Sequence, residues 1–394
     1  MAGKSIDVVV AGYLCLDIHP GFTNEPSNEI ASILRPGGRH RMGAMSFAAG
    51  GTVSHTGIAL KRFGLTVAFA AKVSDDPIGR TTVELLGTQG DTAGISSTKG
   101  ETASYTVVLS PAGIDRILLH CPGANDTFTA DDIDYSPLQN ARFFHLGSPT
   151  RMNALLKKQG TELEKIFTKA KECGVVTSMD ISLPDPGSPG ERANWHTIYE
   201  RTLPHVDIFS PSIEEAFFTL DPGEYLVRKE THGGAKIIDH VSPSEYSSIA
   251  ATYIAMGCAV VVLKAGHLGC YLRTAGPERI ERMGLLKADR IEEWANREIW
   301  CPAFKVDRVA GTEGVGDSAV AGFLAALVKG YSPTACLKCA NCAGSMSLAG
   351  SDPTSGLSTW EEMTSAIKTM ETEAVPALGN TEWWWDDEER VWTR

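Results

Sequence analysis

The most informative part of the chain is the stretch GTEGVGDSAVAGFL, which runs from Gly311 to Leu324. Gly314 and Gly316 stand just before a run with helical spacing, and Asp317 occupies the junction between loop and helix. Glycines at such a junction let backbone N–H groups turn toward one point, where the helix dipole also favours negative charge. A carboxylate at the same point can accept a proton from an attacking hydroxyl. The stretch therefore indicates a phosphoryl-transfer site, although an ordinary capped helix has the same local pattern.

Up to and including this stretch, the sequence alternates between strand-like and helix-like patterns. Strand patterns occur at residues 8–12, 67–73, 143–146, 175–180, 206–209 and 260–264, and helix patterns at 52–63, 76–86, 162–173, 213–219 and 317–329. Strands that alternate with helices favour a mostly parallel sheet covered by helices on both faces. The sequence therefore predicts an α/β fold.

Two regions interrupt the alternation and are rich in turn residues. They are residues 18–48 and 94–122, and each contains short strand-like runs. We expect them to pair as a small β lid over the site of one domain that spans residues 5–350. Residues 351–394 are expected to form a C-terminal helix and a Trp-rich acidic tail, which packs on the body of its own chain through residues 383–385.

Composition and charge exclude several classes of function. The 394 residues carry a formal net charge of −12, which argues against nonspecific binding to nucleic acid or to anionic membranes. No signal-peptide pattern or membrane-spanning stretch is evident, and the nine cysteines are scattered, so reduced thiols and a cytoplasmic location are expected. The pattern Cys336-x-x-Cys339-x-x-Cys342 is interpreted as helix packing, because its positions drift around a helix axis and no fourth metal ligand is near.

The stretch from Gly311 to Leu324 resembles the C-terminal signature of the ribokinase-like carbohydrate kinases, the PfkB family. Other segments resemble that family in the same order, and they are residues 12–17, 50–59, 72–79, Asp115-Arg116, 123–125, 178–180, 212–215 and 264–269. The resemblance covers most of residues 5–350. It implies a three-layer ribokinase-like sandwich with a small β lid. It also implies ATP-dependent phosphorylation of a hydroxyl on a small sugar or sugar acid.

The resemblance also implies roles for individual residues. Asp317 would be the catalytic base, and the N–H groups of Gly314, Val315 and Gly316 would form an anion hole for the transferred phosphoryl group. The expected substrate-binding residues are Asp17, Gly50, Gly51, His55, Arg116, Asn125 and Asp180. The expected nucleotide-binding residues are Lys264, Gly266, Gly269 and Asn341, and Glu215 is expected to hold the Mg²⁺ of ATP through water. Family members often dimerise through the lid, so a homodimer is a further expectation.

Four positions depart from the family pattern. Gly311 and Glu313 replace an Asp and a Thr that help to hold a monovalent cation in the family, so the expectation of such a cation is weakened. His55 and Ser212 each replace an Asn. A nucleoside kinase of the same family remains an alternative, as does a weakly catalytic sugar or nucleotide sensor on the same fold. The retained Asp317, with glycines on both sides of Val315, argues against the sensor.

Overall fold

A computed structural model describes residues 3–27, 29–114, 116–233, 237–350, 352–375, 378 and 382–394. The strands are β1 (Ile6–Gly12), β2 (Cys15–His19), β3 (Ser46–Gly50), β4 (Val67–Ser74), β5 (Asp91–Thr98), β6 (Tyr105–Leu109), β7 (Ile117–Cys121), β8 (Ala141–Gly147), β9 (Val176–Asp180), β10 (Ile208–Phe209), β11 (Val260–Lys264), β12 (Cys270–Thr274), β13 (Glu298–Cys301), β14 (Trp384–Asp386) and β15 (Val391–Thr393). The helices are α1 (Ile30–Ile33), α2 (Thr52–Arg62), α3 (Pro77–Gly87), α4 (Asn153–Glu172), α5 (Trp195–Thr202), α6 (Ile213–Leu220), α7 (Pro222–His232), α8 (Pro243–Ala255), α9 (Pro277–Glu281), α10 (Ile291–Trp294), α11 (Val315–Val328), α12 (Pro333–Ser347) and α13 (Trp360–Ala366).

The larger sheet has eleven strands in the order β14-β15-β13-β12-β11-β10-β9-β8-β1-β4-β5. The strands from β5 across to β11 are parallel, and those beyond β11 are antiparallel. Side chains of β1 alternate between two apolar cores, with Val9 in one and Val8 and Val10 in the other. Burial on both faces explains why β1, β4 and β11 are nearly continuous apolar runs. The predicted α/β fold is confirmed.

Helices α11 and α12 pack together on one face of this sheet. Their small side chains allow close contact between the two helices, and the oxygen of Cys339 lies only 2.4 Å from where a Cβ on Gly322 would stand. Cys336, Cys339 and Cys342 are all buried in this contact region. These cysteines therefore contribute to helix packing, as the sequence indicates.

The lid is a separate four-stranded sheet in the order β3-β2-β6-β7. The first lid segment runs from Cys15, where β2 begins, to Gly50, where β3 ends, so the predicted segment 18–48 is slightly short. The second predicted segment, 94–122, was wrong at its start. Residues 94–98 belong to β5, which pairs in parallel with β4 in the larger sheet, where Ile95 packs against the core. Asp115 of the predicted lid pattern lies outside the described residues.

The C-terminal tail extends the larger sheet. Strand β15 pairs with β13, and Trp383 is buried against Tyr271 with a ring-centroid distance of 5.9 Å. The tail therefore packs on its own chain, and its strands β14 and β15 form one edge of the central sheet. Residues 351, 376–377 and 379–381 of this segment lie outside the described residues.

Candidate active site

The candidate site lies where the parallel strands of the larger sheet end. Asp180 closes β9 and Lys264 closes β11, and the loop before α11 lies over the same edge. Ligands of open α/β sheets bind in the crevice outside the carboxyl ends of the strands. The lid contributes Asp17 from β2 to the same crevice.

Two glycines shape the lid side of the site. A Cβ on Gly50 would stand 2.0 Å from Oδ2 of Asp17, so only glycine lets that carboxyl group lie against β3. Gly51 has a φ of +84°, and a Cβ there would meet the Tyr13 carbonyl oxygen at 2.6 Å. The two glycines therefore bring Asp17 and the start of α2 close together.

Three side chains that can bind a ligand come together between the lid, α2 and the loop before α11. Ligand atoms of Asp17, His55 and Glu313 all lie within 4.8 Å of one another. Burial raises the pKa of the Asp17 carboxyl, and the charge of Glu313 raises it further, while His55 opposes both. The sequence singled out Asp17 and His55, and the structure adds Glu313 to them.

Asp317 lies in the first turn of α11 with its side chain 19% exposed. Thr56 Oγ1 donates to Oδ1 of Asp317 at 3.2 Å, and His55 Nδ1 lies 3.3 Å from Oδ2. Burial alone would raise the pKa of the Asp317 carboxyl, but the hydrogen bond and charge of His55 and the charge of Lys264 hold it below its ordinary value. Burial would likewise lower the pKa of the His55 imidazole, but the nearby carboxylates, Asp317 first, raise it. Asp317 is therefore ionised near neutral pH and can accept a proton.

The turn before Asp317 supplies free backbone donors. Gly314 caps α11 with a φ of +67°, and the helix begins at Val315, two residues earlier than the sequence pattern suggests. The first N–H groups of a helix have no intrahelical acceptor, so those of Gly314, Val315 and Gly316 are available to an anion. Lys264 Nζ lies 3.5 Å from the point where a Cβ on Gly316 would stand. An ammonium group therefore reinforces the helix N-terminus at the expected phosphoryl position.

Lys264 and Asp180 form a buried ion pair at the sheet edge. Lys264 Nζ lies 2.6 Å from Asp180 Oδ1, and the two side chains are 13% and 6% exposed. Burial raises the pKa of the Asp180 carboxyl to about 7, with the charge of Lys264 opposing the shift. The charges of Asp180 and Glu215 hold the pKa of Lys264 above its ordinary value in spite of burial, so the lysine stays charged. This geometry makes Asp180 the counter-ion of Lys264 and does not support its predicted contact with substrate.

Glu215 takes part in a capping box at the start of α6. Its Oε2 accepts a 2.6 Å hydrogen bond from the N–H of Ser212, whose Oγ accepts one from the N–H of Glu215 at 3.2 Å. Mg²⁺ keeps several waters and is held by one or two carboxylates. Glu215 retains one oxygen for such a water, and its charge acts on both Asp180 and Lys264. The residues present therefore fit a hydrated magnesium ion.

Two predicted asparagines have their amide groups bound to backbone. Asn125 is fully buried, and it donates to Leu14 O at 2.9 Å and accepts from Leu14 N at 3.2 Å. These bonds use both ends of the amide group, so the geometry does not support the predicted contact of Asn125 with substrate. Asn341 donates to Cys301 O at 2.8 Å and to Pro302 O at 3.0 Å, so its donor group fixes the end of β13.

The remaining predicted residues form the turn beside β11 and the lid contact. Gly266 and Gly269 have positive φ values in the connection between β11 and β12. Arg116 of the lid donates to Glu313 Oε2 at 2.8 Å and to Thr312 Oγ1 at 3.4 Å. This contact joins the lid to the loop before α11. The sequence reasoning missed the contacts of Thr56, Thr312 and Glu313, because no local pattern reports a partner so distant in the chain.

Comparison with known proteins agrees with this architecture. The family model for pfkB family carbohydrate kinases matches residues 21–360. An uncharacterized sugar kinase of Archaeoglobus fulgidus is 24% identical over 283 residues, which are 72% of this chain and 91% of that protein. A 2-dehydro-3-deoxygluconokinase of Bacillus subtilis is 23% identical over 341 residues, which are 85% of this chain and 91% of that protein.

A solved structure shows the same fold. The Arabidopsis thaliana ribokinase complexed with ribose and ATP superposes with a TM-score of 0.62 at 18% identity, over 92% of this chain and 99% of that one. Within the described residues, no helix has the length and apolar character needed to cross a membrane. The chain belongs to the pfkB family of carbohydrate kinases, which are ATP-dependent phosphotransferases.

Proposed function

We propose that this protein transfers the γ-phosphoryl group of ATP to a hydroxyl of a small sugar or sugar acid, with Asp317 as the general base. The observation that carries the proposal is the first turn of α11. There an ionised carboxylate lies within one helical turn of unpaired N–H groups and beside the Lys264 ammonium. Phosphoryl transfer depends mainly on positioning and on neutralising charge, and this turn supplies both.

In the proposed reaction, the substrate hydroxyl gives its proton to Asp317 as its oxygen bonds to the γ-phosphorus. The bond from that phosphorus to the bridging oxygen of ADP breaks. The N–H groups of Gly314, Val315 and Gly316, together with Lys264, stabilise charge on the transferred oxygens. Closure of the lid would exclude water, which otherwise competes for the phosphoryl group.

The nucleotide is proposed to lie beside the turn that contains Gly266 and Gly269, near Asn341 of α12. A magnesium ion, held through water by Glu215, would neutralise charge on the ATP phosphates. A monovalent cation is not part of the proposal. Glu313 binds Arg116 of the lid, and Gly311 offers no side-chain ligand.

A sugar acid is the favoured substrate class. One relative is a 2-dehydro-3-deoxygluconokinase, whose name describes a keto sugar acid as its substrate. In this chain, the guanidinium of Arg116 lies at the lid side of the pocket with a carboxylate as its partner. A substrate carboxylate can replace Glu313 in that bidentate-capable contact. Asp17 and Gly50–Gly51 would position the sugar hydroxyls.

The outer face of the lid supports a proposed homodimer. Phe47, Ile18, Val107 and Leu119 lie in register across the four strands, on the face opposite to Asp17. Phe47 is 45% and Leu119 is 52% exposed. An apolar row of this kind is typical of a surface that a second copy covers.

A substrate panel tests the proposed function. Keto-deoxy sugar acids, hexoses, ribose and nucleosides are incubated with ATP and Mg²⁺, and ADP release is measured. We expect a sugar or sugar acid to be turned over by wild type and by Asp221→Asn, a matched change at the N-terminus of α7 outside the site. We expect Asp317→Asn to be nearly inactive. Turnover of nucleosides alone would refute the sugar assignment, and equal ligand binding without any turnover would favour a sensor.

A further inference from the structure

Two departures from the family pattern come together in space. His55 and Glu313 replace the family's Asn and Thr, and both lie against Asp17, with ligand atoms no more than 4.8 Å apart. We propose that Asp17, His55 and Glu313 bind a divalent transition-metal ion, such as Zn²⁺ or Mn²⁺, in the substrate pocket. This ion is separate from the magnesium ion of ATP, which we place at Glu215.

The donor set and its spacing suit such an ion. Zinc binds imidazole nitrogen and carboxylate oxygen at about 2.0–2.2 Å, which places neighbouring tetrahedral ligands about 3.3 Å apart. Small rotations of the two carboxylate side chains would bring the three ligand atoms to that spacing. Each ligand stands on a different element, namely β2 of the lid, α2 and the loop before α11. The site therefore requires the lid, α2 and the loop before α11 to lie together, as they do in this structure.

Asp317 fixes the orientation of the His55 ring in the way that outer partners fix metal-bound histidines. Metal-bound histidines commonly donate their other ring N–H to a carboxylate, which fixes the tautomer and the ring orientation. His55 Nδ1 lies 3.3 Å from Asp317 Oδ2, so Nδ1 donates to the ionised carboxylate, and the proposal assigns Nε2 to the metal. The same contact lets an ion in the pocket influence the proposed base.

Asp17 provides the second observation that points to a ligand. It is 5% exposed, and the hydrogen bond that the structure gives its carboxylate, among the described residues, is a weak one from the Cys15 thiol at 3.5 Å. A buried carboxylate normally has a strong partner. Glu313 keeps one oxygen free, because Arg116 bonds to Oε2.

The local charge also matches a divalent cation. Asp17, Glu313 and Asp317 are acidic, while Arg116 is the cation in direct contact with this group. A metal-bound His55 is the neutral imidazole, and the group then has an excess of two negative charges, which one divalent ion would balance. Three protein ligands leave coordination positions open for substrate. If the proposed kinase function holds, those positions suit two adjacent oxygens, as in a 2-oxo acid or a vicinal diol.

Metal binding is tested without ATP or sugar, so its outcome is independent of the kinase proposal. The chelator-treated full-length chain is titrated with Zn²⁺ by calorimetry, and Mn²⁺ binding is followed by electron paramagnetic resonance. We expect one saturable equivalent of Zn²⁺. Loss of an outer-shell partner typically weakens metal affinity about 10–100-fold, so we expect that loss for Asp317→Asn and at least about 100-fold for His55→Asn.

Matched variants keep the test decisive. His196→Asn removes an exposed histidine paired with Glu200 and is expected to bind zinc as wild type does. Glu313→Gln changes a partly exposed ligand and provides a second measurement if His55→Asn does not fold, as judged by circular dichroism. The absence of a saturable site in wild type, or unchanged affinity in the folded ligand variants, would overturn the proposal.

Discussion

Replacement of Lys264 by methionine separates a catalytic role of its ammonium group from a structural one. The side chain pairs with Asp180 at 2.6 Å and also lies beside Gly316 at the N-terminus of α11. Lys72 is a matched buried lysine, 7% exposed, with its Nζ 3.0 Å from Glu101. It lies on β4, which is five strand positions from β11 in the larger sheet. Lys72→Met therefore removes a similar ion pair without touching the proposed chemistry.

The expected magnitudes follow from these contacts. Removing one partner of a buried ion pair typically costs about 3–5 kcal/mol. Burial already pushes Asp180 toward its neutral form, so the free energy of unfolding of Lys264→Met should fall by about 3 kcal/mol, the lower end of that range. Loss of one preorganised group at a developing charge typically lowers kcat by about 10²–10³-fold. We expect that loss in Lys264→Met, whereas Lys72→Met should keep kcat near the wild-type value.

Urea unfolding and steady-state kinase assays measure the two effects on the same preparations. Lys264→Arg keeps the positive charge and should recover part of kcat. A Lys264→Met variant that unfolds more easily but retains wild-type kcat would show that the ammonium group only balances Asp180. That result would refute its role in phosphoryl transfer.

Three further predictions concern the pocket, a helix cap and the lid. Gly50→Ala places a Cβ 2.0 Å from the Asp17 carboxyl and would displace that group. KM for the sugar substrate should therefore rise far more than KM for ATP. Equal changes in both KM values would count against a substrate role for Asp17. Asp76 caps α3 by accepting from the N–H of Gly79 at 2.8 Å, and Asp76→Ala should lower the free energy of unfolding by about 1 kcal/mol at pH 7. Burial would raise the pKa of Asp76, but its backbone hydrogen bonds hold the pKa below its ordinary value. The stabilisation by Asp76 is therefore present above about pH 4 and is lost as pH falls through the folded-state pKa. A difference in unfolding free energy between wild type and Asp76→Ala that persists at pH 2 would contradict this. Leu119→Asp should convert a dimer to monomer in light scattering, while a wild-type monomer would refute the lid interface.

The larger features of the fold could be predicted because they are local. Apolar periodicity marks β1, β4 and β11, and the glycine-rich turn marks the start of α11. Strand β5 was misplaced because its sequence, DTAGISST, has few apolar residues. Its assignment depends on pairing with β4, which no local pattern reports.

The site could be predicted in position but only partly in contacts. Motif order predicts that Asp17, His55 and Asp317 belong to one site, and their side chains lie close together in the structure. The bond between His55 and Asp317 spans 262 positions, so spacing could not reveal it. The predicted substrate role of Asn125 comes from the family resemblance of residues 123–125, and its bond to Leu14, 111 positions away, could not be predicted from spacing.

The most direct test of the account is the kcat of Asp317→Asn with the best substrate from the panel. Asparagine keeps the shape of the side chain and can still accept from Thr56, but it cannot accept a proton from the substrate. We predict a kcat lower by about 10²–10⁴-fold, the usual contribution of a general base, with a dissociation constant for ATP close to that of wild type. A kcat equal to that of wild type would contradict the assignment of Asp317 as the base.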